Sequence, residues 1–314
     1  MKTYYKKIFY TIFSISQICF LLTYPQEALT AAREGLSLWL NILLPTLLPF
    51  LILTGILIRT EMAGRVLKPT EKIWNRLLGV STAGAYAVLI GALCGYPIGA
   101  KITSDLYENQ QISRSEAQYL LTFTNHASPV FVRTYLCHIC LKDQISTYHI
   151  FGILFLSDLA VLLFFRFVVY RNNVKLLNIN EKKKTPVTSS SGAFLDASIM
   201  NGFETITRLG GYILMFSILS ACISHFWNME NIIGYIVSGM LELTTGLCRL
   251  QNARVTFIWK YVLTLFMTAF GGLCITFQTR SLVVRELSLL PYIAAKLLNG
   301  AVAALIALFF AQIV

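Results

Sequence analysis

Nine long apolar segments dominate the sequence, and each approaches the roughly 20 residues that an α-helix needs to cross a bilayer. Apolar residues make up 56% of the chain and charged residues 13%, whereas a soluble domain carries about 25% charge. So little polar surface excludes a soluble, disordered or disulfide-rich secreted protein. We therefore predict an all-α, polytopic membrane protein. The segments are residues 8–22, 36–58, 83–102, 119–139, 149–169, 205–227, 232–250, 255–277 and 289–314.

The first segment follows Lys2, Lys6 and Lys7 and so resembles the apolar region of a signal peptide. Its nearest small-residue stretch, Thr30-Ala31-Ala32, lies too far beyond the apolar run to be a good cleavage site. We expect an uncleaved N-terminal transmembrane helix within residues 1–27. Its lysines place the amino terminus on the cytoplasmic side.

The remaining segments form two similar halves on either side of a basic stretch that contains Lys182-Lys183-Lys184. The offset, which is the number of positions between matching residues of the two halves, drops by 19 in one step. The step falls at the connection 59–80, which is much longer than its counterpart at 228–231. We predict a first repeat at 28–170, a basic cytoplasmic linker at 171–196 and a second repeat at 197–314. The matches are Gly35 with Gly202 at an offset of 167, Gly91 with Gly239 at 148, Phe123 with Phe270 at 147 and Tyr148 with Tyr292 at 144.

The distribution of charge favours an inverted repeat. If all four segments of each half cross the membrane, the basic residues outside the spans divide 12 to 12 between the two sides. If one segment of each half enters and returns, they divide 18 or 19 inside against 6 or 5 outside. Cytoplasmic loops carry the excess of lysine and arginine, so the second arrangement is preferred. Inverted repeats with broken helices are typical of secondary transporters.

Helix-breaking residues cluster with polar ones inside four segments. Irregular backbone within a membrane is tolerated only where it lines a cavity or is buried in protein. Hydrogen bonding of the backbone is therefore expected to lapse near residues 94–99 and 124–129 and at the second-half counterparts, and the four breaks are expected to lie close together. Glycine also serves helix packing in membranes, which leaves a purely structural reading open. The candidate helix-breaking residues are Gly95, Pro97, Gly99, Pro129, Gly246, Gly271 and Gly272.

These motifs resemble, in order and spacing, those of the nucleoside-transporter and FeoB Gate (nucleoside recognition) membrane domain family. Within that family the sequence is most similar to the YlbJ-type sporulation integral membrane proteins, from about Gly35 to the C-terminus. The resemblance implies a bacterial inner-membrane protein of endospore formers that serves spore cortex formation. One residue departs from the pattern, because His126 stands where a second asparagine is expected. The motifs are Gly95-Tyr96-Pro97-x-Gly99-Ala100-Lys101, Asn125-x-Ala127-Ser128-Pro129, Glu242-x-Thr244-x-Gly246, and Gly271-Gly272-Leu273 with Gln278.

Glu242 is the leading candidate for a functional carboxylate. A charged residue at the centre of a membrane helix costs roughly 2.5–3.5 kcal/mol on insertion scales, so its presence needs a reason. We expect it to bind a cation, a proton or the solute, in which case Glu242→Gln fails to support cortex formation. The alternative is a structural acid that hydrogen-bonds between helices. The same two readings, site and packing, are open for Asp158.

Other ionisable residues within segments have simpler explanations. Glu204 and Arg208 are four residues apart, which predicts a local ion pair. Lys101 either attracts an anionic group or extends to the membrane interface, and Lys296 is expected to extend to the interface. His126 is interpreted as a hydrogen-bonding residue.

We predict a transporter-like protein that binds or moves a small polar solute at a midplane site, with half-helix N-termini facing anionic groups. Two alternatives remain open: a non-transporting scaffold for sporulation and cortex assembly, and a membrane enzyme acting on lipid-linked sugars. No nucleophile with an oriented base, phosphate loop or second metal-ligand pair is visible, so we expect no enzymatic activity, metal or cofactor. The expected partners are the lipid bilayer, an unidentified small polar solute and other sporulation membrane proteins, without nucleic acid. The candidate binding residues are Tyr96, Pro97, Lys101, Asn125, Ser128, Glu242, Thr244 and Gln278.

The charge count generates the first testable prediction. Single cysteines introduced beside Lys2 and beside Lys183 should react with a membrane-impermeant thiol reagent from the same side of the membrane. They should share a side because inverted halves of three crossings each, preceded by one helix, return the linker to the side of the amino terminus. Labelling from opposite sides would remove the basis for the inverted repeat.

Overall fold

The computed structural model describes residues 2–60, 62–171, 191–227 and 231–311. All regular secondary structure in these ranges is helical, as predicted. Five helical stretches are long and apolar enough to cross a bilayer, and up to six if a bent pair of helices counts as one span. The all-α, polytopic membrane class is therefore confirmed. The basic run Lys182–Lys184 lies outside the described residues.

The first half contains ten α-helices, joined in places by tighter or wider turns. Helices α2 and α3 form one continuous stretch through a π-helical turn at Trp39–Leu43. Two further π-helical stretches, Val132–Cys140 and Phe165–Val169, extend α9 and α10. The α-helices are α1 (Lys2–Thr23), α2 (Pro25–Leu38), α3 (Leu44–Arg59), α4 (Met62–Val66), α5 (Glu71–Leu78), α6 (Thr82–Cys94), α7 (Ile98–Glu108), α8 (Arg114–Leu120), α9 (Pro129–Phe131) and α10 (Thr147–Phe164).

The second half repeats this order with fewer interruptions. Helix α11 corresponds to α2–α3, the pair α12–α13 to α6–α7, the pair α14–α15 to α8–α9, and α16 to α10. The helices are α11 (Ser191–Phe226), α12 (Ile232–Leu241), α13 (Leu243–Asn252), α14 (Phe257–Phe270), α15 (Gly272–Leu282) and α16 (Leu290–Ala311).

Two boundaries differ from the sequence prediction. Helix α11 begins at Ser191, so residues 191–196 of the predicted linker are helical and the second repeat begins earlier than residue 197. The long connection at 59–80 is not an open loop, because it contains α4 and α5. Helix α5 carries apolar side chains such as Trp74 that pack against the core, and this burial stabilises helical structure in an otherwise charged stretch.

The helices that begin the two halves pack against each other in opposite directions. Gly35 lies against Ser217 at one end of the contact, and Gly202 lies against Ile52 at the other. Residue numbers therefore rise along α2–α3 in the direction in which they fall along α11, so the two helices are antiparallel. The contact is also reciprocal, because Gly35 and Gly202 are equivalent residues and each meets the far part of the other helix.

The middle of this contact lies where equivalent residues meet. Trp39 Nε1 donates a hydrogen bond to the carbonyl oxygen of Ile206 at 2.8 Å, and these two residues are related by the offset of 167.

The last helices of the two halves, α10 and α16, also pack against each other. The ring of His149 packs edge-on against Phe310, and Asn299 Nδ2 donates to Asp158 Oδ1 at 2.7 Å. Helices α10 and α16 are therefore also antiparallel. Equivalent helices that run in opposite directions are what an inverted repeat requires.

Helices α6 and α7 form a hairpin that enters the molecule and returns to the same end. Thr82, at the start of α6, lies beside Gly64, shortly after the end of α3. Gln111, just beyond the end of α7, donates through Nε2 to the carbonyl oxygen of Ile58 at 2.8 Å. Both ends of the hairpin thus lie next to the end of α3. The hairpin that contains the predicted segment 83–102 thus has the geometry expected of the re-entrant segment of the first half.

Glycines let the two arms of each hairpin approach closely. Gly91 of α6 faces Gly99 of α7, and the equivalent Gly239 of α12 faces Gly246 of α13. A Cβ atom added to Gly246 would overlap the Cα atom of Gly239. Gly99 and Gly246 were predicted to break helices, and that assignment is wrong: both lie inside helices, where the absence of a side chain permits the crossing.

The breaks themselves lie at four places. Residues 95–97 separate α6 from α7, residues 121–128 separate α8 from α9, Glu242 separates α12 from α13, and Gly271 separates α14 from α15. The first two coincide with the predicted lapses. The apolar segment 119–139 is therefore broken, as predicted.

Basic residues collect at the end of the molecule where α3 ends and α16 begins, here called the basic end. Arg114 Nη2 donates to the carbonyl oxygen of Glu286 at 2.8 Å, and Arg166 Nη2 donates to that of Arg76 at 2.7 Å. At the opposite end, His149 Nε2 hydrogen-bonds the Tyr261 hydroxyl at 2.9 Å. The described basic residues at or near the basic end include Arg59, Arg65, Lys68, Lys72, Arg76, Arg114, Arg166, Arg280 and Arg285.

The glycine crossings generate the second prediction. Gly246→Ala should lower stability by roughly 1–3 kcal/mol, because the added methyl group overpacks the α12–α13 contact. Unfolding of the purified chain in detergent, followed by circular dichroism, measures the change. Gly152→Ala is the matched control, since its Cβ atom would meet nothing within 4 Å and alanine favours the helix. Equal stability of the two variants would contradict close packing of the hairpin.

Candidate functional site

The tip of the first hairpin is held by the break of the following segment. Gly95 has a φ of 78°, which suits glycine, and it ends α6. Tyr96 N then donates to the carbonyl oxygen of His126 at 2.7 Å. In the second half, Gly272 likewise packs against the carbonyl oxygen of Gly239 in the second hairpin. Each half therefore brings its own two breaks together, which is one part of the predicted approach of all four.

Two predicted binding residues serve as caps of half-helices. Ser128 Oγ accepts from Phe131 N at 3.2 Å and so caps α9. Glu242 is 4% exposed and caps α13, accepting from Thr244 N at 3.1 Å, Thr245 N at 2.7 Å and Thr244 Oγ1 at 2.6 Å. These contacts satisfy N–H groups that a helix start leaves unpaired. The protein's own carboxylate thus occupies the N-terminus of α13, where an anionic ligand was expected.

The two halves meet in a cluster of buried polar side chains, here called the polar core: Asn125, Thr279, Tyr292 and Lys296. Asn125 Nδ2 donates to Thr279 Oγ1 at 3.2 Å and to the Tyr292 hydroxyl at 3.0 Å. Lys296 Nζ donates to the Asn125 carbonyl oxygen at 3.0 Å. Asn125 belongs to the first half and its partners to the second, so the polar core fixes one half against the other.

Lys296 was predicted to extend to the membrane interface, and this is wrong. Its side chain points inward, only 3% of the residue is exposed, and its ammonium lies 5.9 Å from the centroid of the Tyr96 ring. Among the described residues no carboxylate oxygen lies within 4.0 Å of its Nζ. The broken backbone at Asn125 offers a carbonyl acceptor, and this acceptor draws the lysine into the protein.

The remaining predicted residues divide between ion pairs and packing. Lys101 is 8% exposed and pairs with Asp105 one turn further along α7. It therefore neither extends to the interface nor leaves a free cation for an anionic group. The predicted pair of Glu204 and Arg208 is present. Gln278 is buried in α15, where its Nε2 lies 3.4 Å from Cys274 Sγ.

Tyr96, Pro97 and Thr244 lie at the breaks but differ in what they contact. The Tyr96 hydroxyl is inaccessible and has no hydrogen-bond partner in the described part of the chain. Pro97 precedes α7, and its missing N–H removes one unpaired donor at that helix start. The Thr244 carbonyl oxygen accepts from the Tyr135 hydroxyl at 3.0 Å, which joins the two halves a second time.

A cavity of about 180 Å³ opens beside the first-half break, and we call it the lateral cavity. Its polar groups are His126, Asp158 and Asn299. Asp158 Oδ1 accepts from Asn299 Nδ2, whereas Asp158 Oδ2 lies 3.9 Å from His126 Nδ1, too far for a hydrogen bond. The apolar walls come from Ala92, Ala127, Pro129, Val132, Phe151, Leu154, Phe155 and Ala269, and Thr268 lies among them.

The sequence prediction missed the residues that α16 contributes. Tyr292, Lys296 and Asn299 are spaced four and three residues apart, so they lie on one face of α16, and all three are buried. A polar stripe of that period on a membrane helix indicates a face turned toward protein. Thr279 was also missed, although it directly follows the candidate Gln278 in α15.

Comparison with known proteins adds a relationship along almost the whole chain. The chain is 26% identical to the "Sporulation integral membrane protein YlbJ" of Bacillus subtilis (strain 168) in an alignment 326 positions long, which includes 90% of this chain and 77% of that protein. The resemblance to the YlbJ type is confirmed. The chain is thus a sporulation-related integral membrane protein. No family model matches it, and no solved structure matches it, so membership of the Gate domain family stays a prediction from its motifs.

The capping geometry of Glu242 generates the third prediction. Glu242→Ala should lower stability by roughly 0.5–2 kcal/mol because α13 loses its cap, whereas Glu242→Asp should keep most of it, since aspartate is a favoured cap. Chemical unfolding in detergent measures both. Glu204→Ala is the control, because an exposed ion pair contributes little. If Glu242→Ala is as stable as the control, the cap does not explain this buried acid.

Proposed function

We propose that this protein binds a small polar solute at the broken helices and moves it across the membrane, as a transporter-like protein that serves spore cortex formation. The observation that carries the proposal is that two antiparallel halves each direct a broken hairpin and a second broken helix toward one shared core. Secondary transporters combine these features around a midplane site. We also assign the chain, on its motifs, to the Gate domain family.

The polar core supplies the connection that a transporter needs between its halves. Asn125 of one half is bonded to Thr279, Tyr292 and Lys296 of the other. In alternating access, one repeat rocks against the other around the site. These hydrogen bonds cross from one half to the other and lie next to a cavity. A solute that binds there would therefore favour one arrangement of the two halves over another.

We further propose that the basic end faces the cytoplasm of a bacterium and that the protein lies in its inner membrane. The amino terminus and residues 171–196 would then be cytoplasmic. The support is the positive-inside rule together with the collection of arginines and lysines at one end. Since the sequence has no phosphate loop, transport would draw on an ion gradient or on an energised partner.

A complementation test separates transport from a scaffold role. In a sporulating strain that lacks the protein, Lys296→Met should reach the normal amount in the membrane yet fail to restore heat-resistant spores. The reason is that the variant removes the bond to Asn125 while keeping the length of the side chain. Membrane vesicles with and without the wild-type chain should differ in the metabolites that they exchange, and Lys296→Met should abolish that difference.

Lys260→Met is the matched control, because Lys260 Nζ also donates to a backbone carbonyl oxygen, that of Gln251 at 2.6 Å, but at the opposite end of the molecule. It should restore spores. If Lys296→Met is present at the normal level and also restores spores fully, the polar core is structural and a non-transporting scaffold is the better reading.

A further inference from the structure

The lateral cavity contains a carboxylate, that of Asp158, which no lysine or arginine in the described ranges contacts directly, although the charge of Lys296 acts on it from a greater distance. Asp158 has one oxygen bonded to Asn299, and its second oxygen, Oδ2, has no hydrogen-bond partner in the described part of the chain. The side chain is 26% exposed, and no lysine or arginine nitrogen of the described residues lies within 4.0 Å of it. Lys296 lies one turn from Asn299, but its ammonium bonds the Asn125 carbonyl oxygen and the residue does not line the cavity.

Asp158 Oδ2 accepts hydrogen bonds, and His126 Nδ1 accepts one in the tautomer that carries its proton on Nε2. Asp158 Oδ2 and His126 Nδ1 are 3.9 Å apart, a separation that one group bearing two N–H bonds can span by donating to both. A carboxylate oxygen that faces the cavity without a direct hydrogen-bond or lysine or arginine partner among the described residues fits a cationic donor.

The walls exclude a metal ion and favour an organic body. Hard cations take about six oxygen ligands, whereas here Phe151, Leu154, Phe155 and Val132 surround one carboxylate. Aromatic rings attract ammonium groups and pack against carbon chains. A volume of about 180 Å³ is much more than the roughly 10–15 Å³ that one water molecule needs, so the cavity has room for a small organic molecule. Phe155 lines the cavity and is 67% exposed, so it lies at the mouth.

We propose that the lateral cavity binds a small organic ammonium ion, with Asp158 as its counter-ion and the aromatic and aliphatic wall holding its apolar part. The inference rests on the proposed function, because it names the chemical class of the solute. Binding stabilises the charge of Asp158 within the bilayer, where an isolated carboxylate is costly. Asn299 of α16 then orients this carboxylate of α10 through its hydrogen bond, so a ligand in the cavity affects both halves.

A series of three probes of similar size tests the charge. Purified full-length protein in detergent is titrated with benzylammonium, benzyl alcohol and benzoate, and binding is followed by saturation-transfer NMR. Benzylammonium should bind at least about tenfold more tightly than either other probe, a difference of about 1.4 kcal/mol. Equal binding of benzyl alcohol, preference for benzoate, or no binding of benzylammonium would overturn the proposal.

Variants locate the site. Asp158→Asn keeps the shape and the bond to Asn299 and should weaken benzylammonium binding by about tenfold, without changing that of benzyl alcohol. Glu204→Gln, which alters an acid paired with Arg208 away from the cavity, should bind as the wild type does. Phe155→Ala at the mouth is a second variant in case Asp158→Asn does not fold. Unchanged binding in whichever variant folds contradicts the site.

The two proposals can fail separately. Selective benzylammonium binding in a protein whose Lys296→Met variant complements fully would retain the ammonium site and remove transport. Loss of complementation by Lys296→Met without any preference for the cationic probe would retain the proposed function and remove the ammonium site.

Discussion

Every backbone group that a helix break releases inside a bilayer must find a partner within the protein, and the rest of this structure depends on that constraint. Tyr96 N is satisfied by the carbonyl oxygen of His126, and the N–H groups at the start of α13 are satisfied by Glu242. The carbonyl oxygen of Asn125 is satisfied by Lys296 from the other half. The hydrogen bonds that satisfy the backbone at the breaks therefore link the two halves and hold a lysine in the core.

These hydrogen bonds are possible because the backbones of the two arms of each hairpin approach closely. Gly91 and Gly99, and their equivalents Gly239 and Gly246, let each hairpin fold back tightly enough for its tip to reach the break of the next segment. The glycine pairs of the two hairpins are equivalent, because their members are separated by nearly the same number of positions in the sequence. The antiparallel pairs α2–α3 with α11 and α10 with α16 then enclose the hairpins, and the contact of Trp39 with Ile206 lies where equivalent residues meet.

A distinction follows between polar groups that complete the fold and polar groups that remain free for a ligand. Ser128, Thr244 and Glu242 have partners that close a helix end, and Lys101 has Asp105. In the lateral cavity, one oxygen of Asp158 has no such partner in the described part of the chain. Since a carboxylate inside a bilayer is costly, this oxygen indicates where a ligand belongs.

The sequence by itself determined the membrane class, the all-α fold, the breaks at 95–97 and within 121–128, and the ion pair of Glu204 with Arg208. Each follows from local properties: hydropathy, the backbone limits of glycine and proline, and spacing on one helix. Only the tertiary structure decided that Gly99 and Gly246 are crossing points and that Lys296 points inward. It also decided that Asp158 meets Asn299. The glycine crossings depend on how each hairpin folds back on itself. The positions of Lys296 and Asp158 depend on which residues, more than a hundred positions apart, come to face each other once the halves pack in opposite directions.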